Sequence, residues 1–549
     1  MHVIRLLTTG PRTSLKGTLA VTCLAGLGNA ALIGLINEVG EKAALAEPVS
    51  GTLLLLYVGA FAFFYIASRA SLHEANRMLQ HRLGMLRLRI VDKIRHAPLR
   101  ALEQIGQGEL YAVVAQETNH LSQNLPLFVS AVQSGFLLVF CLLYIAVLSP
   151  PSFLVVGAFT ALGLAIFWRR RVVLNRALGG VYGHETAMLD GMTSFTEGFQ
   201  EIRLNADKND ALFHQFTRTV SELETAVTGI GSRWVALMQF SNAFLYALVG
   251  VVIFVLPMFF HGYNDVIYKV AAAAIFCVGP VTAITSASHL YAKADTGLGH
   301  VYRMEERLDE AVARTPPTPD GSRFQGFRRI DFQDITFSYR DADGQVVFTS
   351  GPWSFALNRG EIVFLVGGNG SGKSTAMKLM SGLYPPDGGG ILVDGAPVTP
   401  EIRQEYRELF SGIFPDFHLF DRLYGLGDVD PARVRALIHR MELDEKTDFK
   451  DGRFTATGLS TGQRKRLAMI AALLEDREIY LFDEWAADQD SRFRDVFYTE
   501  ILPDLKRRGK TVLAVTHDDR YWSCCDRRLT LDLGMIQAEA AEPGAPSAG

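Results

Sequence analysis

Six stretches of this chain are long and apolar enough to cross a hydrocarbon core, near residues 17–36, 52–68, 126–148, 152–168, 237–260 and 266–288. Such a core is about 30 Å thick and takes roughly 20 mostly apolar residues to span as a helix. The first 290 or so residues are therefore expected in a membrane, which accounts for a composition 48% apolar with a mean hydropathy of +0.14. Ala44-Leu45-Ala46 resembles a signal cleavage site. It lies far beyond the first apolar stretch, which is longer than a signal core, so that stretch is expected to stay as a span.

The connections between spans alternate between short and long. Ser149-Pro150-Pro151 closes one outer turn, whereas the inner connections, 69–125 and 169–236, each exceed fifty residues. Both begin with basic clusters, Arg69, Arg77, Arg82, Arg87 and Arg89 in one and Arg169-Arg170-Arg171 in the other. Basic loops face the cytoplasm, which puts both termini inside. Apolar residues at helical spacing, such as Leu86, Ile90, Ile94 and Leu99, predict that the membrane helices continue as stalks. About 25 further residues would reach nearly 40 Å below the membrane. Segments near Gly108 to Glu117 and Asn205 to Leu212 are expected to meet whatever lies there.

Polar residues inside the spans include Asn29, Gln133, Gln239, Ser241 and Asn242. Hydrogen bonds between helices, worth about 0.6 kcal/mol each, account for most of them. Gln239 and Asn242 are also candidates to line a polar substrate cavity. No span carries a central charged residue, so a pump driven from the cytoplasm fits better than a proton- or sodium-coupled one. The net charge of −4 gives no sign of nucleic acid as a partner. Cys23, Cys141, Cys277, Cys524 and Cys525 have neither metal spacing nor a plausible pairing, and read as reduced packing residues.

Residues 314–322, RTPPTPDGS, cannot continue a helix and mark a linker. Beyond it, strand-like and helical runs alternate as in a mostly parallel α/β sheet. A short apolar strand, 361–366, runs into Gly367-Gly368-Asn369-Gly370-Ser371-Gly372-Lys373-Ser374-Thr375, followed by a helical AMKLMSGLY. This is the complete phosphate-binding loop in its strand–loop–helix setting, with glycines that let backbone N–H groups approach phosphate. Lys373 is placed to reach the β- and γ-phosphates of ATP and Ser374 to ligate Mg2+. Farther on, Ile479-Tyr480-Leu481-Phe482 is apolar without alternation, as in a strand covered on both faces, and ends in Asp483-Glu484. A lone acidic pair is usually just solvated. Beside a phosphate loop, Asp483 becomes a metal ligand and Glu484 a base for water.

Together these segments resemble the ATP-binding cassette (ABC) proteins. Leu459-Ser460-Thr461-Gly462-Gln463 is similar to the family's signature sequence, with Thr461 where glycine is usual. Ile479 to Glu484 resemble its Walker B strand, Ala487 to Asp490 its D-loop, His517 its switch histidine, and Tyr339 the aromatic residue that stacks on adenine. The family's glutamine between phosphate loop and signature falls at Pro415, which has no ligand to offer, leaving Asp416 or a water in that role. The resemblance implies a homodimer of twelve spans in which each ATP lies between Lys373 of one subunit and Ser460, Thr461, Gly462 and Gln463 of the other.

Spans and cassette fused in one chain resemble ABC exporters. DEWAADQD, QRKRLA, FHLFDRL, THDDRY and GFQEIRLN look like the bacterial cyclic-peptide exporter branch, which includes pyoverdine-type siderophore exporters. That resemblance implies ATP-driven export of a peptide-like secondary metabolite across the bacterial cytoplasmic membrane. No peptidase-sized segment precedes the first span, so a cargo matured beforehand is expected. The alternatives are a lipid or hydrophobic-drug flippase and a membrane-anchored ATPase that scaffolds biosynthetic enzymes. The expected fold is a six-helix α transmembrane domain (1–313), a linker (314–325), an α/β P-loop ATPase domain (326–536) and a flexible tail (537–549).

Overall fold

The computed structural model describes residues 2–8, 12–44, 46–111, 114, 118–259, 267–312, 323–341 and 344–540. The chain divides into two compact units, Met1–Arg95 with Ile105–Arg307 and His96–Gln104 with Leu308–Gly549.

The first unit is helical. Its helices are α1 (His2–Thr8), α2 (Arg12–Ala44), α3 (Gly51–His96), α4 (Leu99–Ile105), α5 (Gln107–Tyr111), α6 (Thr118–Gln123), α7 (Leu125–Leu148), α8 (Pro150–Glu197), α9 (Phe199–Leu204), α10 (Ala206–Gly250), α11 (Leu256–Phe259) and α12 (Ile267–Val312). Most of α4 groups with the second unit. Among the described residues, six helical stretches are long and apolar enough to cross a membrane, one for each expected span. Four of the spans sit in helices of 45 to 48 residues, so the stalks are continuous with them. Residue 260, where the fifth expected span ends, and 266, where the sixth begins, lie outside the described residues.

Close approach holds these helices together. A Cβ on Gly26 would stand 2.7 Å from Cβ of Phe136, and one on Gly163 would stand 2.6 Å from the Phe244 ring. Small residues at such crossings let helices pack where lipid supplies no hydrophobic drive. Of the polar span residues, Asn242 accepts a hydrogen bond from Thr282 on α12 (3.2 Å), as expected for an interhelical bond. Gln239, one turn away, is exposed, and Ser241 is buried. Below the spans, Glu305 of α12 pairs with Arg89 (2.6 Å) and Lys93 (2.7 Å) of α3.

The second unit is built on a six-stranded sheet. Its elements, in chain order, are β1 (Arg329–Arg340), β2 (Val346–Asn358), β3 (Ile362–Val366), α13 (Lys373–Met380), β4 (Gly388–Val393), β5 (Ala396–Pro397), α14 (Arg403–Arg407), β6 (Phe410–Ile413), α15 (Pro431–Arg440), the hairpin β7–β8 (Phe449–Lys450 and Arg453–Phe454), α16 (Thr461–Glu475), β9 (Ile479–Asp483), α17 (Ser491–Val496), α18 (Leu502–Arg507), β10 (Thr511–Val515), β11 (Arg527–Asp532) and β12 (Met535–Ala540). The large sheet runs β12-β11-β3-β10-β9-β6, parallel except for β12, and a smaller antiparallel sheet runs β2-β1-β4-β5.

The unbroken apolar runs follow from burial on both faces of the large sheet. Phe364, Tyr480, Phe482 and Val512 enter the core shared with α15 and α16. Val363, Leu365, Leu481 and Leu513 enter the core shared with α13 and β1. A strand covered on both sides needs apolar residues at every position.

Three expected boundaries change. His96–Gln104, taken as part of the membrane half, groups with the cassette unit. Arg100 donates to the Ser338 carbonyl (3.0 Å) and lies over the Phe337 ring, and Lys378 donates to Glu103 (2.9 Å). Phe324, expected in the linker, is 6% exposed and packs edge-on against Tyr406 in the cassette core. The linker motif at 314–322 lies outside the described residues. At the other end, β12 continues through Ala540, four residues into the expected tail, because Ile536 packs on the core and β12 pairs with β11.

Candidate functional site

Strand order brings the motifs together. β10 lies between β3 and β9, so the phosphate loop, Asp483-Glu484 and His517 all leave the carboxyl ends of neighbouring parallel strands. That edge is where open α/β sheets place ligands. Val515 is in register with both Leu365 and Asp483, so Glu484 and His517 emerge almost level.

The phosphate loop requires its glycines at definite points. Gly367 has φ +151°, and a Cβ there would lie 2.2 Å from the Leu531 carbonyl oxygen. Gly372 has φ +98° and forms the N-cap of α13, while Gly370 has φ +77°. Lys373 is buried, and its Nζ donates to the carbonyls of Gly367 (3.0 Å) and Gly368 (2.9 Å), curling over the loop. Burial pushes its ammonium pKa down, against the opposing pull of Glu484 and Asp483. The Ser371 hydroxyl is buried without a hydrogen-bond partner.

A cavity of about 430 Å3 is lined by Tyr339, Phe348, Asn369, Gly370, Gly372, Lys373, Ser374, Thr375 and Glu484. Tyr339, from β1, stands at one side and its hydroxyl lies 3.3 Å from that of Thr375. Its other neighbour, Tyr384, donates to Glu103. Asp416 is exposed and does not line this cavity, nor does Pro415.

Asp483 is 1% exposed, with the Ser374 hydroxyl as the hydrogen-bonding side chain beside its carboxylate. Burial pushes its pKa up, offset in part by the Ser374 side chain beside it. A carboxylate buried this way calls for a cation. Glu484 has φ +50° and ψ +36°, a left-handed conformation uncommon outside glycine. Its Oε1 lies 3.0 Å from Nε2 of His517.

The signature residues stand apart from that cavity. Ser460 is the N-cap of α16, and its N–H donates to the Gln463 side chain (3.3 Å), so Gln463 turns back onto its own helix end. Thr461 and Gly462 form the first turn. Asp490 caps α17 by accepting from Phe493 N–H (2.8 Å) and also pairs with Arg466 (2.5 Å). None of Ser460 to Gln463 lines the Lys373 cavity.

This geometry has close relatives. The model of the ABC transporter family matches residues 351–487, and that of the ABC transporter transmembrane region matches 18–175. The ATP-binding protein SyrD of Pseudomonas syringae pv. syringae is 31% identical over 95% of this chain and 93% of its own. The chain belongs to the ABC transporters, as an exporter-type half-transporter. An ATP-dependent lipid A-core flippase of Bordetella pertussis is 30% identical over 49% of this chain and 44% of its own. In fold, a bacterial Atm1-family ABC exporter with ATP bound aligns over 96% of this chain and 95% of its own, with a TM-score of 0.76 at 18% identity. The ABC exporter is thus a multi-pass membrane protein that couples ATP hydrolysis to transport.

Two features of this ABC exporter escaped the motif reading. Lys465 and Asp488 form a buried-to-surface ion pair (2.7 Å) between α16 and the D-loop. The only sequence signal was a lysine two residues beyond the signature glutamine and an aspartate in the D-loop run. The docking of His96–Gln104 carried no motif at all.

Proposed function

We propose that this protein exports a peptide-like secondary metabolite, such as a cyclic peptide or siderophore precursor, across the bacterial cytoplasmic membrane as a homodimer. The observation that carries the reading is the juxtaposition of Lys373, the buried Asp483 carboxylate and the Glu484–His517 pair at one sheet edge. Cargo class is supported by the branch-like sequences around that edge, DEWAADQD above all. The basic inner loops support a cytoplasmic position for both termini and the cassette.

Each residue has a part in this scheme. Tyr339 offers its ring to adenine, and Asn369 to Thr375 offer backbone and side-chain donors to the phosphates. Lys373 leaves its carbonyl partners for the β- and γ-phosphates. Ser374 and Asp483 would hold Mg2+, which would neutralise charge developing on the phosphates. Glu484 takes the proton of the attacking water, and His517 holds the glutamate and the γ-phosphate end. Ser460 to Gln463 close on the partner's nucleotide, Asp490 holds the D-loop, and loss of that bridge on hydrolysis reopens the dimer. The spans then alternate between inward- and outward-facing forms, with Gln239 and Asn242 as candidate cavity residues.

The test is hydrolysis by purified protein in vesicles, titrated with cyclic peptides and separately with lipids. Stimulation by peptide at fixed lipid is expected. Stimulation by lipid alone would replace the peptide reading with the flippase one.

A further inference from the structure

The residues that join the signature helix to the catalytic loop point to a positioning role for Lys465. Its side chain, on the second turn of α16, is 4% exposed. The ammonium donates to the main-chain carbonyl of Glu484 (2.8 Å) and pairs with Asp488 (2.7 Å). Around it the two segments are pinned repeatedly. Trp485 Nε1 donates to the Lys465 carbonyl (3.0 Å), Gln489 to the Gly462 carbonyl (3.0 Å), and Arg466 to Gln489 (2.8 Å). Gly462 itself abuts the Asp488 carbonyl, where a Cβ would lie at 2.5 Å.

Lys465 differs from the other links because of where its proton goes. Glu484 is in a left-handed conformation, and its carbonyl accepts from the buried Lys465 ammonium (2.8 Å) and, more weakly, from the Ala487 N–H (3.3 Å), not from a neighbouring strand. A residue in that conformation persists only where its surroundings hold it. Glu484 lines the Lys373 cavity and also the cavity beside His517, so the angle at which its carboxylate meets water depends on how its peptide is held. An ammonium is the strongest single donor available for that carbonyl, and Asp488 compensates its charge.

We infer that Lys465 is a positioning residue for hydrolysis. It fixes the Glu484 peptide, and it ties that peptide to the helix whose first turn carries Ser460 to Gln463. A shift of α16 when the signature meets the partner's nucleotide is thereby delivered to the base on its own subunit. This rests on the proposed role of Glu484 and goes beyond it by naming what sets the glutamate's position.

Lys465→Met is the direct probe. It leaves Asp488, which is about half exposed, free to hydrate, so folding is expected to survive. Full-length wild type, Lys465→Met, Lys465→Arg, Glu484→Gln and Lys465→Met/Glu484→Gln are compared in vesicles for MgATP hydrolysis and for binding of a fluorescent ATP analogue. Lys465→Met is expected to lower kcat at least tenfold with KM and analogue affinity within twofold. Lys465→Arg, which keeps a charged donor, recovers most of the loss, and Lys465→Met adds nothing to the residual rate of Glu484→Gln.

A rise in KM with kcat unchanged, or a loss that multiplies with Glu484→Gln, overturns the inference. Wild-type kcat in Lys465→Met beside an inactive Glu484→Gln overturns it alone. Wild-type turnover in Glu484→Gln overturns the base assignment, and the inference with it. Should Lys465→Met not fold, Lys465→Gln is read against the same outcomes.

Discussion

Nε2 of His517 lies 3.0 Å from Oε1 of Glu484, and the two residues reach that position from the ends of adjacent parallel strands, β10 and β9. Removing a positioned base costs roughly 10²- to 10⁴-fold in rate. Glu484→Gln is therefore expected to lower phosphate release at least 100-fold while ATP affinity, measured at equilibrium, stays within a few-fold. His517→Ala is expected to lose at least tenfold by the same measurement, less than Glu484→Gln, since the glutamate keeps its place after β9.

Asp483 makes a prediction of opposite sign for stability and activity. Burial raises its native pKa above the value of about 3.9 expected when unfolded. Between those two values the folded chain holds the extra proton, so this residue's contribution to stability falls as pH rises through that window. In nucleotide-free protein without magnesium, Asp483→Asn is expected to flatten that decline and to raise the melting temperature at pH 7. The same variant should lose magnesium-dependent hydrolysis.

Gly462 is tested by a single methyl group. Alanine is the better helix former by about 1 kcal/mol. Its Cβ would meet the Asp488 carbonyl oxygen at 2.5 Å, an overpacking that typically costs about 1–3 kcal/mol. The clash outweighs the gain, so Gly462→Ala is expected to lower the cassette's thermal transition and to slow hydrolysis.

The proposed homodimer is tested by cross-linking. Asn369 and Ser460 are both exposed and belong to different regions of one cassette surface. With the native cysteines replaced, Asn369→Cys/Ser460→Cys is expected to form a disulfide-linked band of twice the mass under mild oxidation with ATP, and little without it. Equal cross-linking in both conditions would contradict ATP as the bridge.

Much of this was legible because it is local. Six apolar runs and the strand–loop–helix around Lys373 declare themselves within a few dozen residues each, and the helices simply extend farther than the spans because their water-exposed stalks keep helical spacing. The grasp of Lys465 on Glu484 was not legible. It links positions 19 apart that face one another only after β9 is laid into the sheet. The same holds for Glu103 and Lys378, 275 residues apart. Phe324 was expected in the linker and residues 537–540 in the tail because composition marks where a linker or tail begins, whereas an apolar side chain on a core or the pairing of a strand decides where it ends.

Movement of a peptide-like cargo driven by ATP can be read directly in vesicles. Inside-out vesicles carrying the purified protein are incubated with a labelled cyclic peptide and MgATP, and label retained in the lumen is counted. Accumulation that requires ATP, and that Glu484→Gln abolishes, is the expected result. Hydrolysis at full rate with no peptide retained, across a panel of cyclic peptides and siderophore precursors, would contradict it.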